Sequence, residues 1–176
     1  MDKINQLRNI LNKQNCDAYI IPKNDEYFGE YVPKNKDRLK FISGFTGSTG
    51  LALILKNKSY LFVDGRYTLQ AKKEIYKDFK ICEIPKIKPY YILKNLNKEI
   101  TLGFDPKLFT SNTLKNIISN SLIKIKPINN NLIDTIWKNK TKVNNNKFYI
   151  LEKKYHGESF VNKISKVSKF LKFNDI

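Results

Sequence analysis

Apolar residues recur at intervals of three and four through the first fourteen positions. Ile4, Leu7, Ile10 and Leu11 share one helical face, so residues 2–14 predict an amphipathic helix. Asn15-Cys16-Asp17 interrupts the period, and Ala18 to Ile21 reads as a short buried strand closing at Pro22. Lys23 to Lys36 has no period and forms a loop carrying Asp25, Glu26, Glu30 and Tyr31, which by itself reads as a solvated acidic loop. Asp37 is placed to cap a short helix bearing Leu39, Phe41 and Ile42. A turn follows, Ser43-Gly44-Phe45-Thr46-Gly47-Ser48-Thr49-Gly50, whose glycines are expected to supply backbone conformations that side chains forbid. Leu51–Leu55 and Tyr60–Val63 flank the polar turn Asn57-Lys58-Ser59 and predict a hairpin.

The second half alternates in the same way. Tyr67–Tyr76 suits a helix, with Leu69 and Lys73 at compatible positions, and Phe79–Ile84 alternates apolar with polar residues as a half-buried strand does. Pro89 fits the first position of a helix containing Tyr90, Leu93 and Leu96. Thr101–Phe104 is a further buried strand, Thr110 or Ser111 caps a helix that turns Leu114, Ile117 and Ile118 inward, and Leu122–Ile128 is the last strand. Strands alternating with helices imply an α/β fold with a mixed sheet flanked by helices, the hairpin antiparallel and the crossovers parallel; the strand order stays open.

Beyond Asn129 the texture changes. Asn129-Asn130-Asn131 and Asn144-Asn145-Asn146 bracket a segment whose Leu132, Ile133, Ile136 and Trp137 suit one helical turn packed on the domain, with Trp137 as a junction anchor and Lys138–Lys147 as linker. Gly157–Lys172 predicts a last amphipathic helix, with Phe160, Ile164, Val167 and Leu171 on one face. The expected organisation is a domain over 1–130, a linker over 131–157 and an orphan helix over 158–176, whose uncovered apolar face must fold back, pair or fray.

Composition narrows the function. No apolar run approaches the roughly 18 residues of a membrane span, the N-terminus lacks the layout of a signal peptide, and Cys16 and Cys82 have no metal-like spacing. No membrane association and a reducing, cytoplasmic location are expected. The net charge of +17 invites a nucleic-acid reading. Yet only three of the 33 basic residues are arginine, and the lysines are spread along the chain. Lys, Asn and Ile share AT-rich codons, so nucleotide composition accounts for the excess. Non-specific, salt-sensitive adhesion to polyanions is expected; a dedicated nucleic-acid-binding module is the alternative from another class.

The candidate chemistry lies where the hairpin ends, at Asp64-Gly65-Arg66-Tyr67. Side chains at the carboxyl end of a strand face the crevice a sheet presents. Arg66 offers a rigid donor fork for a carboxylate or carbonyl, and Asp64 accepts from nearby amides. The spacing equally suits an Asp–Arg pair that only pins the strand-to-helix turn. Ser48 is not in a nucleophile elbow, GFTGSTG lacks the Lys-Ser/Thr of a phosphate loop, and the single histidine, His156, has no carboxylate–histidine set beside it. No metal site is expected, and no catalytic residue.

FISGFTGSTG followed by VDGRYTLQA resembles the N-terminal domain of the Xaa-Pro aminopeptidases (aminopeptidase P), within the creatinase-like "pita-bread" metallopeptidases. IIPKNDEYFGEYVP (Ile20–Pro33), NLIDTIW (Asn131–Trp137) and KYHGES (Lys154–Ser159) are similar to further segments of the same enzymes, in the same order. The resemblance implies a ribonuclease-H-like sheet motif. The family's reaction is metal-dependent release of the N-terminal residue from Xaa-Pro peptides, using two divalent ions, manganese by expectation, held in a catalytic domain outside these segments. It further implies that this chain is a non-catalytic N-terminal fragment, truncated before that domain, with no cofactor of its own. Its role would be dimerisation and shaping the active-site entrance. By match to DGRY, Arg66 is the candidate for contacting substrate across a subunit boundary, with Asp64 orienting it and Tyr31 or Phe45 lining the wall. Tyr27 stands where relatives generally carry His. The expected partners are a second copy of this chain or a separately encoded catalytic chain, with peptide substrate bound only by the complete enzyme.

Overall fold

The computed structural model describes residues 2–117, 122–141 and 147–175. Its contacts divide the chain into two units, residues 1–142 and 143–176.

The first unit is built on a six-stranded sheet. Helix α1 (Lys3–Lys13) starts at Asp2, whose carboxylate accepts from the Ile4 amide, and buries Ile4, Leu7 and Leu11 as its spacing requires. Strand β1 (Ala18–Pro22) is buried along its whole length because it lies mid-sheet. It pairs antiparallel with β2 (Leu51–Leu55) on one side, Ile20 opposite Leu53, and parallel with β5 (Ile100–Phe104) on the other. The expected hairpin joins β2 to β3 (Ser59–Asp64), which runs parallel to β4 (Phe79–Ile84); β6 (Ile123–Pro127) lies parallel to β5. The order is β4-β3-β2-β1-β5-β6. Only β2 opposes the rest, so the other five strands present their carboxyl ends at one edge.

Helices cover both faces, which is why β1 and β2 read as unbroken apolar runs. On one face α1, α2 (Arg38–Ser43), α3 (Thr68–Glu74) and α6 (Leu132–Ile136) pack Leu7, Ile42, Ala71 and Ile133 against Tyr19, Ile21, Ile54 and Leu61. On the other, α4 (Pro89–Lys94) and α5 (Ser111–Ile117) bring Leu93 and Ile117 onto Ile20, Leu53, Phe62 and Leu102. Alternate residues of each strand serve opposite layers. The fold is the expected α/β class, a mixed sheet flanked by helices.

Capping sets most helix starts. Asp37 accepts from the Lys40 amide at 3.1 Å, Thr110 from Thr113 at 3.2 Å and Asn131 from Ile133 at 2.9 Å. Ile118, expected to face inward, lies outside the described residues, as does the 142–146 part of the expected linker, including Asn144-Asn145-Asn146. Trp137 packs within the first unit, its ring 4.7 Å from that of Phe41 and nearly parallel to it.

Two local expectations need correction. Of the glycines in the turn before β2, only Gly44 adopts a left-handed conformation, at φ +83°. Gly47 is required for space instead, since a Cβ there would overlap the Phe45 ring. The helix expected over 67–76 begins with a tight 3-10 turn, Gly65–Tyr67, because Asp64 caps the Arg66 amide; α3 follows, and Leu69 is exposed.

The second unit holds α7 (Lys153–His156) and α8 (Phe160–Phe173). Gly157, at φ +72°, ends the first, and Ser159 caps the second at the Asn162 amide, so the last helix starts at Phe160, the first residue of its apolar period, rather than at the expected Gly157. Neither helix contains a buried residue.

Candidate functional site

The sheet edge formed by the carboxyl ends of β1, β3, β4, β5 and β6 carries the loop after β1, the Asp64–Tyr67 turn after β3 and the glycine turn leading into β2. Lys23 donates its amide to Gly50 O at 2.9 Å, tying the first of these to the last.

Asp64 and Arg66 are in direct contact. One carboxylate oxygen accepts from the Arg66 amide at 2.9 Å and from Nε at 3.2 Å, and the other from Nη2 at 2.8 Å. The Arg66 hydrogen bond holds the Asp64 carboxyl below its ordinary range, while the arginine stays charged and its side chain is 76% exposed. One edge of the guanidinium is thus fixed by Asp64, and the side chain is otherwise largely open to solvent. The plane is steadied from below: Arg66 lies 5.5 Å over the Tyr67 ring, and the Tyr67 hydroxyl meets that of Ser48 at 2.6 Å. The glycine turn is stapled to α3, with Glu74 accepting from the Thr46 amide and hydroxyl, both at 2.7 Å. Against the desolvation that opposes it, Thr46 and Gln70 hold the Glu74 carboxyl below its ordinary range.

The other two candidates fall elsewhere. Phe45 is fully buried, packed edge-on to Tyr67 at 5.8 Å, so it supports the turn from the core rather than lining a wall. Tyr31 is exposed on the loop after β1 and makes no hydrogen bond or ring contact among the described residues. That loop is not merely a solvated acidic segment. Asp25 is buried and accepts from the amides of Tyr27 and Gly29 at 3.0 and 3.2 Å, folding the loop on itself and leaving Tyr27 and Tyr31 outside.

The strongest anchor of the loop is one that sequence reasoning missed. Arg38, 2% exposed, donates through Nε and Nη2 to both oxygens of Asp134 at 3.0 and 2.7 Å, and through Nη2 to Glu26 at 2.7 Å. Lys36 adds a second cation to Glu26 and Lys140 a second to Asp134. The cluster ties the loop after β1 to α2 and α6. Desolvation opposes ionisation of Glu26, but Arg38 and Lys36 prevail and hold its carboxyl down to about 2. Composition held a clue. Each of the only three arginines in this lysine-rich chain makes paired contacts a lysine does not reproduce: Arg8 to Leu55 O and Ser59 Oγ, Arg38 to Asp134, Arg66 to Asp64.

Among the described residues no group of three His, Cys, Asp or Glu side chains is placed to hold a metal ion. His156, in the second unit, meets Glu158 O at 2.8 Å through Nδ1. What the edge offers chemically is a charged donor fork held at fixed orientation, suited to a carboxylate or a polarised carbonyl. No helix among the described residues is long and apolar enough to cross a membrane.

A mixed sheet between two helical layers, with an anchored loop, a glycine turn and an Asp–Arg fork gathered at one edge, defines an α/β sandwich of the kind expected from the sequence. Residues 3–135 match the profile of the Creatinase/Prolidase N-terminal domain, and the chain belongs to that family. It is 32% identical over 169 residues to a Coprinopsis cinerea protein named Probable Xaa-Pro aminopeptidase P, covering 92% of this chain and 27% of the relative. It is 32% identical over 186 residues to Xaa-Pro aminopeptidase 1 of Dictyostelium discoideum, covering 97% of this chain and 30% of the relative. The fold matches that of the X-prolyl aminopeptidase of Caenorhabditis elegans, described as a cytosolic enzyme with a di-nuclear active site. The TM-score is 0.83 at 24% identity, over 98% of this chain and 31% of that one. The chain therefore spans less than a third of the length of these relatives.

Proposed function

We propose that this chain serves an Xaa-Pro aminopeptidase as its N-terminal part, contributing to dimerisation and to the entrance of the active site. The observation that carries the reading is the Arg66 fork, oriented by Asp64 and exposed at the sheet edge of a domain of this family. Arg66 would meet the carbonyl or carboxylate of a peptide bound in a neighbouring subunit, with Tyr31 on the adjacent loop as a wall. Phe45 has no part in that wall. Hydrolysis belongs to a catalytic portion outside this chain, where two divalent ions, manganese by preference, would be held. The compartment would be the cytoplasm.

The second unit supports the same reading. The face of α8 bearing Phe160, Ile164, Val167 and Leu171 is exposed, and we assign it as the first helix of a further domain that covers it. The catalytic portion then joins either in the same polypeptide or as a separate chain.

The test is complementation. The chain is combined with the remainder of a family enzyme and manganese, and turnover of Xaa-Pro peptides is measured. Activity should exceed that of the catalytic portion alone, and Arg66→Ala should raise KM with little change in kcat. Equal rates with and without the chain would remove the reading.

A further inference from the structure

A cavity of about 420 Å³ opens at the opposite edge of the sheet, between the amino ends of β1, β3 and β5 and the end of α4. Its size falls within the range of small-molecule sites. Leu55, Ile92, Leu96 and Ile100 line it with apolar surface that continues into the second core layer. Lys56, Lys58 and Lys98 stand around it.

The charges there are unequally committed. Among the described residues, Asp17 is the one carboxylate lining the cavity. One of its oxygens accepts from the Thr101 amide at 3.0 Å and the other pairs with Lys56 at 2.9 Å. Lys58 and Lys98 close no ion pair within 4.0 Å among the described residues, although the Lys98 charge also acts on the Asp17 carboxylate from farther off. Two ammonium groups with no carboxylate at ion-pair distance, and three lysines against one aspartate, therefore stand beside a concave apolar floor. An inorganic anion would leave that floor wet, and a neutral apolar molecule would leave the cations unused.

We propose that this cavity binds a small organic anion with an apolar body, such as an aromatic or medium-chain carboxylate. The body lies on Leu55, Ile92, Leu96 and Ile100, and the anion lies between Lys58 and Lys98. Lysine acts as a point charge without the geometric selection of an arginine fork, so the shape of the apolar body sets the preference. The site is separated from the Arg66 edge by the length of the strands, and it does not depend on the aminopeptidase reading.

The test uses the full chain, with amide chemical shifts followed on addition of 2-naphthoate and, separately, neutral 2-naphthalenemethanol. Saturable shifts should centre on residues 55–58 and 95–100. The naphthoate should bind about tenfold more tightly than the alcohol at low salt, and the double variant Lys58→Glu/Lys98→Glu should lose about tenfold in affinity. Leu96→Gln should weaken both probes while leaving the salt dependence intact. The inference is overturned if the alcohol binds as well as the naphthoate, if the charge variant binds unchanged, or if saturable shifts appear only in residues 160–173 or nowhere.

Discussion

Replacing Arg38 by Met removes the cation on which the loop after β1 and helix α6 converge. The side chains of Glu26 and Asp134 keep only 20% and 31% of their exposure, so both carboxylates would be left in poorly solvated positions. Breaking a buried pair by deleting one partner costs about 3–5 kcal/mol. Lys36 and Lys140 still reach the orphaned carboxylates, at 3.0 and 2.8 Å, and soften the loss. The expected destabilisation is therefore about 2–4 kcal/mol. Arg38→Lys retains charge but not the paired contact with Asp134, and should cost about 1–2 kcal/mol. Trp137, the only tryptophan, reports on the site directly, because it follows α6 and stacks on Phe41 of α2. Urea unfolding of the full chain followed by its fluorescence gives the two differences. A cycle with Asp134→Asn should show coupling of at least about 1 kcal/mol. Acid should erase the advantage of the native residue. Carboxyls depressed in the folded state contribute above their ordinary values and lose that contribution as pH falls through the folded ones. The gap between native and Arg38→Met should thus narrow as pH drops from about 4.5 toward 2, where Glu26 titrates. An Arg38→Met midpoint within error of the native one, or strict additivity with Asp134→Asn, would refute the cluster as an anchor.

Gly47→Ala should destabilise by about 1–3 kcal/mol through overlap with the Phe45 ring, measurable by the same unfolding assay. At Gly44 an alanine meets both the left-handed backbone and Glu74 O at 2.7 Å, and the loss should be at least as large. Arg66→Ala should leave the urea midpoint unchanged, since its fork is exposed, and a shifted midpoint would favour a purely turn-pinning role. In limited trypsin digestion, Lys163, Lys166 and Lys169 of α8 should be cut before any lysine of the sheet, because no residue of that helix is buried. Survival of α8 after the first unit is cut would contradict this.

Most elements of this protein were determined by local pattern. The period of Ile4, Leu7 and Leu11, the capping positions of Asp37, Thr110 and Asn131, and the apolar runs of β1 and β2 each act over a few residues, so the linear order contains them. The Asp64–Arg66 pair was legible for the same reason, since its partners are two residues apart. Tertiary structure alone decided the strand order, which brings the ends of β1 and β3 to one edge, and the pairing of Arg38 with Asp134, which are 96 positions apart. It also decided the place of Phe45. A phenylalanine in a glycine-rich turn is equally suited to a wall or a core, and only the position of Tyr67 and the empty space at Gly47 turned it inward. Hydrophobic burial has no direction of its own. Which apolar or charged side chain meets which is settled by packing of segments distant in sequence, and no local spacing encodes it.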